Sequence, residues 1–312
     1  MNMSNRIEQD AAVNRPRANL NESASRTAYQ VALFRSLGRL KQFKVHPNPD
    51  TLAHHFLGFP ERRNRLMFRI IHFLRGGRLP ELLRKFATLH IARTEFFDLA
   101  CLTTDKQQIV ILGAGMDTRP YRLPLQDKLI FEVDIAGTQI AKKARVNKLG
   151  LKTTAKSVRY VSTDFNKKSW MQDLIAQGFD LEMPTLFIWE GVSYYLPEPD
   201  VQATFEQLGR VKNWAMAFDF CSRDFVTGVG AYDDAFTKRF HGRLKKQGEP
   251  FVFGVPENES AWFEKLKLKV EQRIGFEQWV RPFGDAAQLQ DFSVARSRTY
   301  ALVSPLNAGR SS

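Results

Sequence analysis

"QQIVILGAGMDTRPYRL", residues 107–123, begins as an apolar, β-branched run and breaks at a glycine-containing turn followed by charge. An apolar run of this length bounded by glycine predicts a strand over 108–113, buried on both faces. Gly113 and Gly115 give the backbone freedom at the strand's carboxyl end, and the helix start beyond them offers free N–H groups. Downstream, β-rich runs recur at "KLIFEVD" (128–134), "SVRYVSTD" (157–164), "TLFIWEG" (185–191) and "WAMAFDF" (214–220). Amphipathic stretches of crossover length, "GTQIAKKARVNKL", "KKSWMQDLIAQ" and "EPDVQATFEQLGRV", separate them. Strands alternating with helices predict βαβ units, a mostly parallel sheet and the α/β fold class. Two later runs, "LKVEQRIGFE" (268–277) and "SRTYALVSP" (297–305), predict edge strands closing the sheet as an antiparallel hairpin.

Upstream the rhythm is helical. Apolar residues recur at spacings of three and four from about Ala24 to Ala100, with Pro47, Pro49, Pro60 and Pro80 as punctuation. The expected organisation is a flexible arm over 1–25, a helical region or lid over 26–100, and a core over 101–305 with an insertion near the site at 221–257. The 312 residues carry a net charge of +13, unevenly placed. Residues 1–110 hold 18 Lys/Arg against 9 Asp/Glu, hence +9, while the remainder holds 28 against 24. In "RRNRLMFRIIHFLRGGRLPELLRKF" (62–86) the charges interleave with apolar residues, which predicts amphipathic helices with a solvated basic face. No recognised nucleic-acid module accompanies this charge, so an RNA-modifying or nucleic-acid-binding protein ranks as an alternative suggested by charge alone. No apolar run reaches membrane-spanning length, and the polar N-terminus lacks a secretory core, so the expectation is a cytoplasmic chain without membrane. Cys101 and Cys221 form neither a CxxC pair nor a zinc pattern, His54 and His55 read as surface residues, and no metal is expected.

In an open α/β sheet the ligand sits beyond the carboxyl ends of the strands, beside the first strand's turn. The third glycine of the dinucleotide fingerprint is missing, because Thr118 stands at its position. That counts against a pyrophosphate and against the alternative of an NAD-dependent oxidoreductase. Asp134 closes the second strand 21 positions after Gly113, the spacing of an acid that accepts from ribose hydroxyls. Asp164 and Phe165 end the third strand, a carboxylate and a ring suited to adenine. Glu190 follows an apolar run into the centre of the crevice, where a carboxylate needs a cationic partner. A ribose acid, an adenine contact and a central glutamate without phosphate-binding features describe an adenosine ligand bearing positive charge. S-adenosyl-L-methionine fits that description.

These residues resemble those of the leucine carboxyl methyltransferase-like family of class I S-adenosylmethionine-dependent methyltransferases, in particular its bacterial O-methyltransferase branch. The resemblance runs from Ser25 to Val303 and is carried by "SRTA" (25–28), "ARTEFFD" (92–98), "VILGAGMDTRPYRL" (110–123), "FEVDIAGTQIAKKAR" (131–145), "STDF" (162–165) and "LFIWEGVSYYL" (186–196). It implies a Rossmann-like, mostly parallel seven-strand sheet covered by a helical N-terminal lid. It further implies that Arg26 and Arg93 hold the methionine carboxylate. Gly113 falls on the family's cofactor-loop glycine, Asp134 on its ribose acid, Asp164 and Phe165 on its adenine contacts, and Glu190 on its glutamate near the methionine amino group. Gly115 shares the cofactor turn. Residues 221–257 match no pattern of the eukaryotic phosphatase-modifying members, so the implied acceptor is a small molecule.

Methyl transfer is an in-line displacement that depends on holding the acceptor oxygen against the methyl carbon. A carboxylate acceptor is already ionised, whereas a phenol gains from a base or a neighbouring cation. Tyr194 and Tyr195 are the candidates for lining the acceptor pocket, and Arg119 and Arg122 for steering an anionic acceptor. The expected activity is O-methylation of a carboxylate or phenolic oxygen of a small molecule; the oligomeric state is left open.

Overall fold

The computed structural model describes residues 26–40, 43, 50–163, 170–283, 289 and 291–306. The arm expected over 1–25 lies outside them. Three helices lead the described chain: α1 (Arg26–Ser36), α2 (Phe59–Leu74) and α3 (Glu81–Thr103). The alternating part follows as β1 (Gln108–Leu112), the short α4 (Arg119–Arg122), β2 (Leu129–Asp134), α5 (Ala136–Leu149), β3 (Ser157–Ser162), α6 (Trp170–Ala176), β4 (Thr185–Trp189), α7 (Glu198–Leu208) and β5 (Trp214–Cys221). Beyond β5 come α8 (Arg223–Thr227), α9 (Ala235–Gln247), α10 (Glu259–Lys265), β6 (Leu268–Gly275), α11 (Phe276–Val280), α12 (Ser293–Arg296) and β7 (Arg298–Pro305).

The seven strands form one sheet in the order β3-β2-β1-β4-β5-β7-β6. β1 to β5 run parallel, and β7 lies antiparallel to both β5 and β6. The two late strands are therefore paired antiparallel, but helices α11 and α12 join them in place of a tight turn. β1 is central, and the chain leaves it first toward β2 and later toward β4. The carboxyl ends of β1 and β4 thus bound the crevice that a reversal of strand order opens.

Side chains alternate across a strand, so each parallel strand feeds two cores. Val110, Leu112, Phe131, Val133, Phe187 and Trp189 face one side, where residues of α6, α7 and α10 cover them. Ile109, Ile111, Ile130, Leu186 and Ile188 face the other, against Ala92, Phe96 and Phe97 of α3. Burial on both faces explains why these strands read as unbroken apolar runs. It also explains α3, whose residues from Ala87 to Asp98 are buried apart from His90. The Trp279 indole N–H donates to the Ala92 carbonyl at 2.8 Å and ties α11 to this helix.

Candidate active site

A cavity of about 310 Å³ lies at the carboxyl ends of β1 and β4. Its floor is the β1 turn, Gly113 to Asp117, with Asp134 and Ile135 beside it. Thr27, Ala28, Val31 and Arg35 of α1 form one wall, and Gly248 to Pro250 with Val252, beyond α9, form a second. The end of the segment 221–257 therefore lines this cavity. The Thr27 hydroxyl donates to the Glu249 carboxylate, joining the two walls.

Gly113 takes φ +68°, and a Cβ there would come within 2.5 Å of the Val192 Cγ2. A side chain is excluded on conformational and steric grounds together. The N–H groups of Gly113 and Ala114 both donate to the Val133 carbonyl, at 2.8 and 3.0 Å, which folds the turn over the end of β2. Asp134 accepts from the Gly115 N–H at 2.6 Å and from the Ile135 N–H at 2.7 Å. Burial pushes its carboxyl up while these two donors pull it back, and the net shift is upward. The Thr138 side chain also hydrogen-bonds to this carboxylate, which still leaves acceptor capacity among its roughly four lone-pair sites.

The cationic partner that Glu190 needs is supplied within the chain. One of its oxygens accepts from Arg93 Nε at 3.0 Å, and the other pairs with Arg119 Nη2 at 2.7 Å. Burial raises the Glu190 carboxyl, but Arg119 and Arg93 outweigh it and hold the group below the ordinary glutamate range. Gly191, at φ +73°, leaves room for this arrangement, since a Cβ there would lie 3.0 Å from Arg93 Nη1. Its N–H donates to Asp219 at 2.6 Å, and Asp219 in turn accepts from Arg298 at 3.2 Å.

Arg119 and Arg122, the candidates for steering an acceptor, do not line the cavity and are engaged in buried ion pairs. Arg119 pairs with Asp98 at 2.7 Å, with Asp117 and with Glu190; Arg122 pairs with Asp98 at 2.6 Å and approaches Asp50 at 3.7 Å. Asp50 also accepts from the Thr118 hydroxyl at 2.7 Å and pairs with Arg35 at 3.4 Å. Five arginines (35, 93, 119, 122 and 298) thus meet five carboxylates (50, 98, 117, 190 and 219) in one buried network. Its charges balance, as burial in low dielectric requires.

The structure brings Arg93, Gly113, Gly115, Asp134, Glu190 and Tyr195 to the same cavity. Arg26 is exposed on α1 and is not among the lining residues; Arg35, two and a half turns further along that helix, is. Tyr194 is buried behind the wall, its hydroxyl accepting from Arg93 at 3.3 Å and its ring stacked under Arg298 at 4.0 Å. Only its neighbour Tyr195 lines the cavity. Asp164 and Phe165 lie outside the described residues. The sequence reading missed Thr27, Arg35, Asp219 and Glu249. Asp219 had a legible signal, a carboxylate near the end of an apolar strand, whereas Glu249 sits in a segment with no pattern.

Fold and crevice together define a class I S-adenosylmethionine-dependent methyltransferase, with β7 inserted antiparallel beside β5 and a glycine turn facing a strand-terminal acid. More narrowly, the profile of the leucine carboxyl methyltransferase family matches residues 28–209, and the chain belongs to that family. A Mycobacterium marinum protein named as an S-adenosyl-L-methionine-dependent methyltransferase is 28% identical over 255 residues, 79% of this chain and 74% of its own length. A similarly named protein of Mycobacterium sp. strain JLS is 38% identical over 202 residues, 62% of this chain and 63% of its own. Two solved structures share the fold at low identity. A DUF574-family protein of Streptomyces avermitilis has a TM-score of 0.56 at 13% identity, covering 91% of this chain and 98% of that one. A Thermobifida fusca methyltransferase has a TM-score of 0.54 at 10% identity, covering 93% and 97%. The protein is a methyltransferase enzyme and S-adenosyl-L-methionine is its cofactor. Among the described residues, no helix is long and apolar enough to cross a membrane.

Proposed function

We propose that this enzyme methylates a phenolic or other hydroxyl oxygen of a small molecule, with Glu249 as the base. The observation that carries this reading is that Glu249 lines the same cavity as the glycine turn and Tyr195. Burial raises its carboxyl above the ordinary range, as suits a group that must take a proton near neutrality. Glu190 and Asp117 on the lining are neutralised by arginines, but an ionised Glu249 would repel an anionic carboxylate acceptor, which favours a neutral one.

The cavity's donor set fits the cofactor. Asp134 has acceptor capacity for ribose hydroxyls, Gly113 and Gly115 let the backbone approach closely, and Arg93 and Arg35 offer guanidinium groups for a carboxylate. Glu190, already paired, holds Arg93 in position and presents negative charge to an ammonium. Asp164 and Phe165 are assigned to adenine from the family resemblance. When bound, S-adenosyl-L-methionine supplies an electrophilic methyl carbon on its sulfonium. The chain's own part is to orient the acceptor against Tyr195 and to receive the hydroxyl proton on Glu249 as the new oxygen–carbon bond forms. Helices α1 to α3 and the wall beyond α9 serve as the lid that excludes water. The buried free thiols Cys101 and Cys221 suit a cytoplasmic setting.

The test is calorimetric titration with S-adenosylhomocysteine, using NAD as comparison, followed by an acceptor screen of phenols against carboxylic acids read by product mass. One-to-one binding of S-adenosylhomocysteine with methylation of phenols alone supports the reading. Methylation of carboxylic acids in preference would overturn the acceptor assignment, and binding of NAD alone would overturn the cofactor site.

A further inference from the structure

Helix α2 has no buried residue. Phe59, Leu66, Met67, Ile70, Phe73 and Leu74 all point outward, with exposures from 47% for Met67 to 82% for Phe73. Their spacing of three, four and seven places them on one stripe of the helix. Among the described residues, Phe68 is the one side chain of α2 in the clusters beneath, where it packs with side chains from α1 and α3. Scattered exposed apolar side chains are ordinary, but six on one helix of 16 residues form a contiguous patch that calls for a partner. The same surface is basic. Arg62, Arg63, Arg69 and Arg75 are exposed on or beside the stripe. From Phe59 to Arg78 the chain carries six arginines and one acidic residue, Glu61.

We propose that the outward face of α2 docks this enzyme onto an anionic membrane surface, the helix lying in the interface plane. An apolar stripe flanked by arginines matches what such a surface offers: acyl chains for the phenylalanines and leucines, and headgroup charge for the guanidinium groups. The occupant follows from charge complementarity. A second copy of the chain, meeting this face across a two-fold axis, would set arginine against arginine. A nucleic acid would satisfy the arginines and leave Phe59 and Phe73 in water. A lipid surface answers both features at once. At 16 residues the helix is about 24 Å long, short of a spanning segment, so it lies on the bilayer without crossing it. The sequence reading expected no membrane and a solvated basic face; the exposed apolar stripe beside that face is what the structure adds. This inference is independent of which acceptor the active site takes.

The experiment is co-sedimentation of the purified full chain with phosphatidylcholine vesicles and with phosphatidylglycerol-containing vesicles, across a salt series. The expected result is at least about tenfold stronger partitioning onto the anionic vesicles at low salt, falling as salt rises. A Leu66→Asp/Ile70→Asp/Phe73→Asp variant should lose binding to both vesicle types, with its melting temperature unchanged because these side chains are exposed. An Arg62→Gln/Arg63→Gln/Arg69→Gln variant should lose the preference for anionic lipid. Absence of sedimentation at low salt, or undiminished binding by the aspartate variant, overturns the proposal. So does light scattering that shows a dimer dissolved by the aspartate substitutions without any vesicle binding, which would assign the face to a second copy.

Discussion

Asp134 holds the β1 turn closed while facing the cavity, so its removal should act on both binding and local order. Asp134→Ala is expected to weaken S-adenosylhomocysteine binding by about 1.5–3 kcal/mol, roughly ten- to a hundredfold, as for a hydrogen bond to a charged group. Calorimetry on the folded variant checks this, and unchanged affinity would remove Asp134 from the ligand's contacts. Asp134→Asn, which keeps an acceptor oxygen, should fall between the two. Glu249 makes a different prediction. A base must be ionised to work, and burial raises this carboxyl above the ordinary glutamate value near 4.3, so kcat/KM should rise with pH through that raised value. Glu249→Gln should lower kcat by about 10²–10⁴-fold and abolish the acid limb of the profile. A variant that kept the limb would show that another group titrates there.

Between α1 and α2, a 3₁₀ turn at Ala53–Phe56 is anchored by Asp50, which accepts from the Leu52 N–H at 3.0 Å and the Ala53 N–H at 2.8 Å. His54 in this turn is pushed down to about 4 by burial, with the charges of His55, Arg65 and Arg39 adding to the effect. In the unfolded chain its value is near 6.5. The unfolded state then binds more protons between those values, so this contribution to stability is full above about pH 6.5 and declines as pH falls toward about 4. Melting temperatures recorded from neutral pH down to this lower value should drop less steeply for His54→Asn than for the natural chain. Equal slopes would exclude His54 as a source of the acid sensitivity. The turn and the helix that follows it were legible in different degrees. The alternation of charged and apolar residues predicted an amphipathic α2, but which face would be covered depends on how α2 leans on α1, and no local pattern records that.

Across the whole molecule, the buried network joins α1, the Asp50 turn, α3, the β1 turn, β4, β5 and β7. Removing one member leaves its partners as uncompensated buried charge. Arg119→Ala leaves Asp117 without its ion-pair partner and Asp98 and Glu190 with one arginine each, and is expected to destabilise the fold by about 3–5 kcal/mol, read by urea denaturation. An arginine that merely steered an acceptor would instead raise KM at unchanged stability, so the two roles separate cleanly. The strands, the glycine turn and the strand-terminal acid beside it were readable in the sequence because their causes are local: apolar runs set burial, glycine permits positive φ, and spacing along one βαβ unit places Asp134 at the turn. The late antiparallel pair was readable for the same reason. What only three-dimensional packing established is the pairing of charges: Arg119 with Asp98, Arg93 with Glu190 and Arg298 with Asp219 join residues from 21 to 97 positions apart. A charged residue in a sequence carries no mark of its partner, because an ion pair is chosen by proximity and desolvation, and both exist only once the chain has folded.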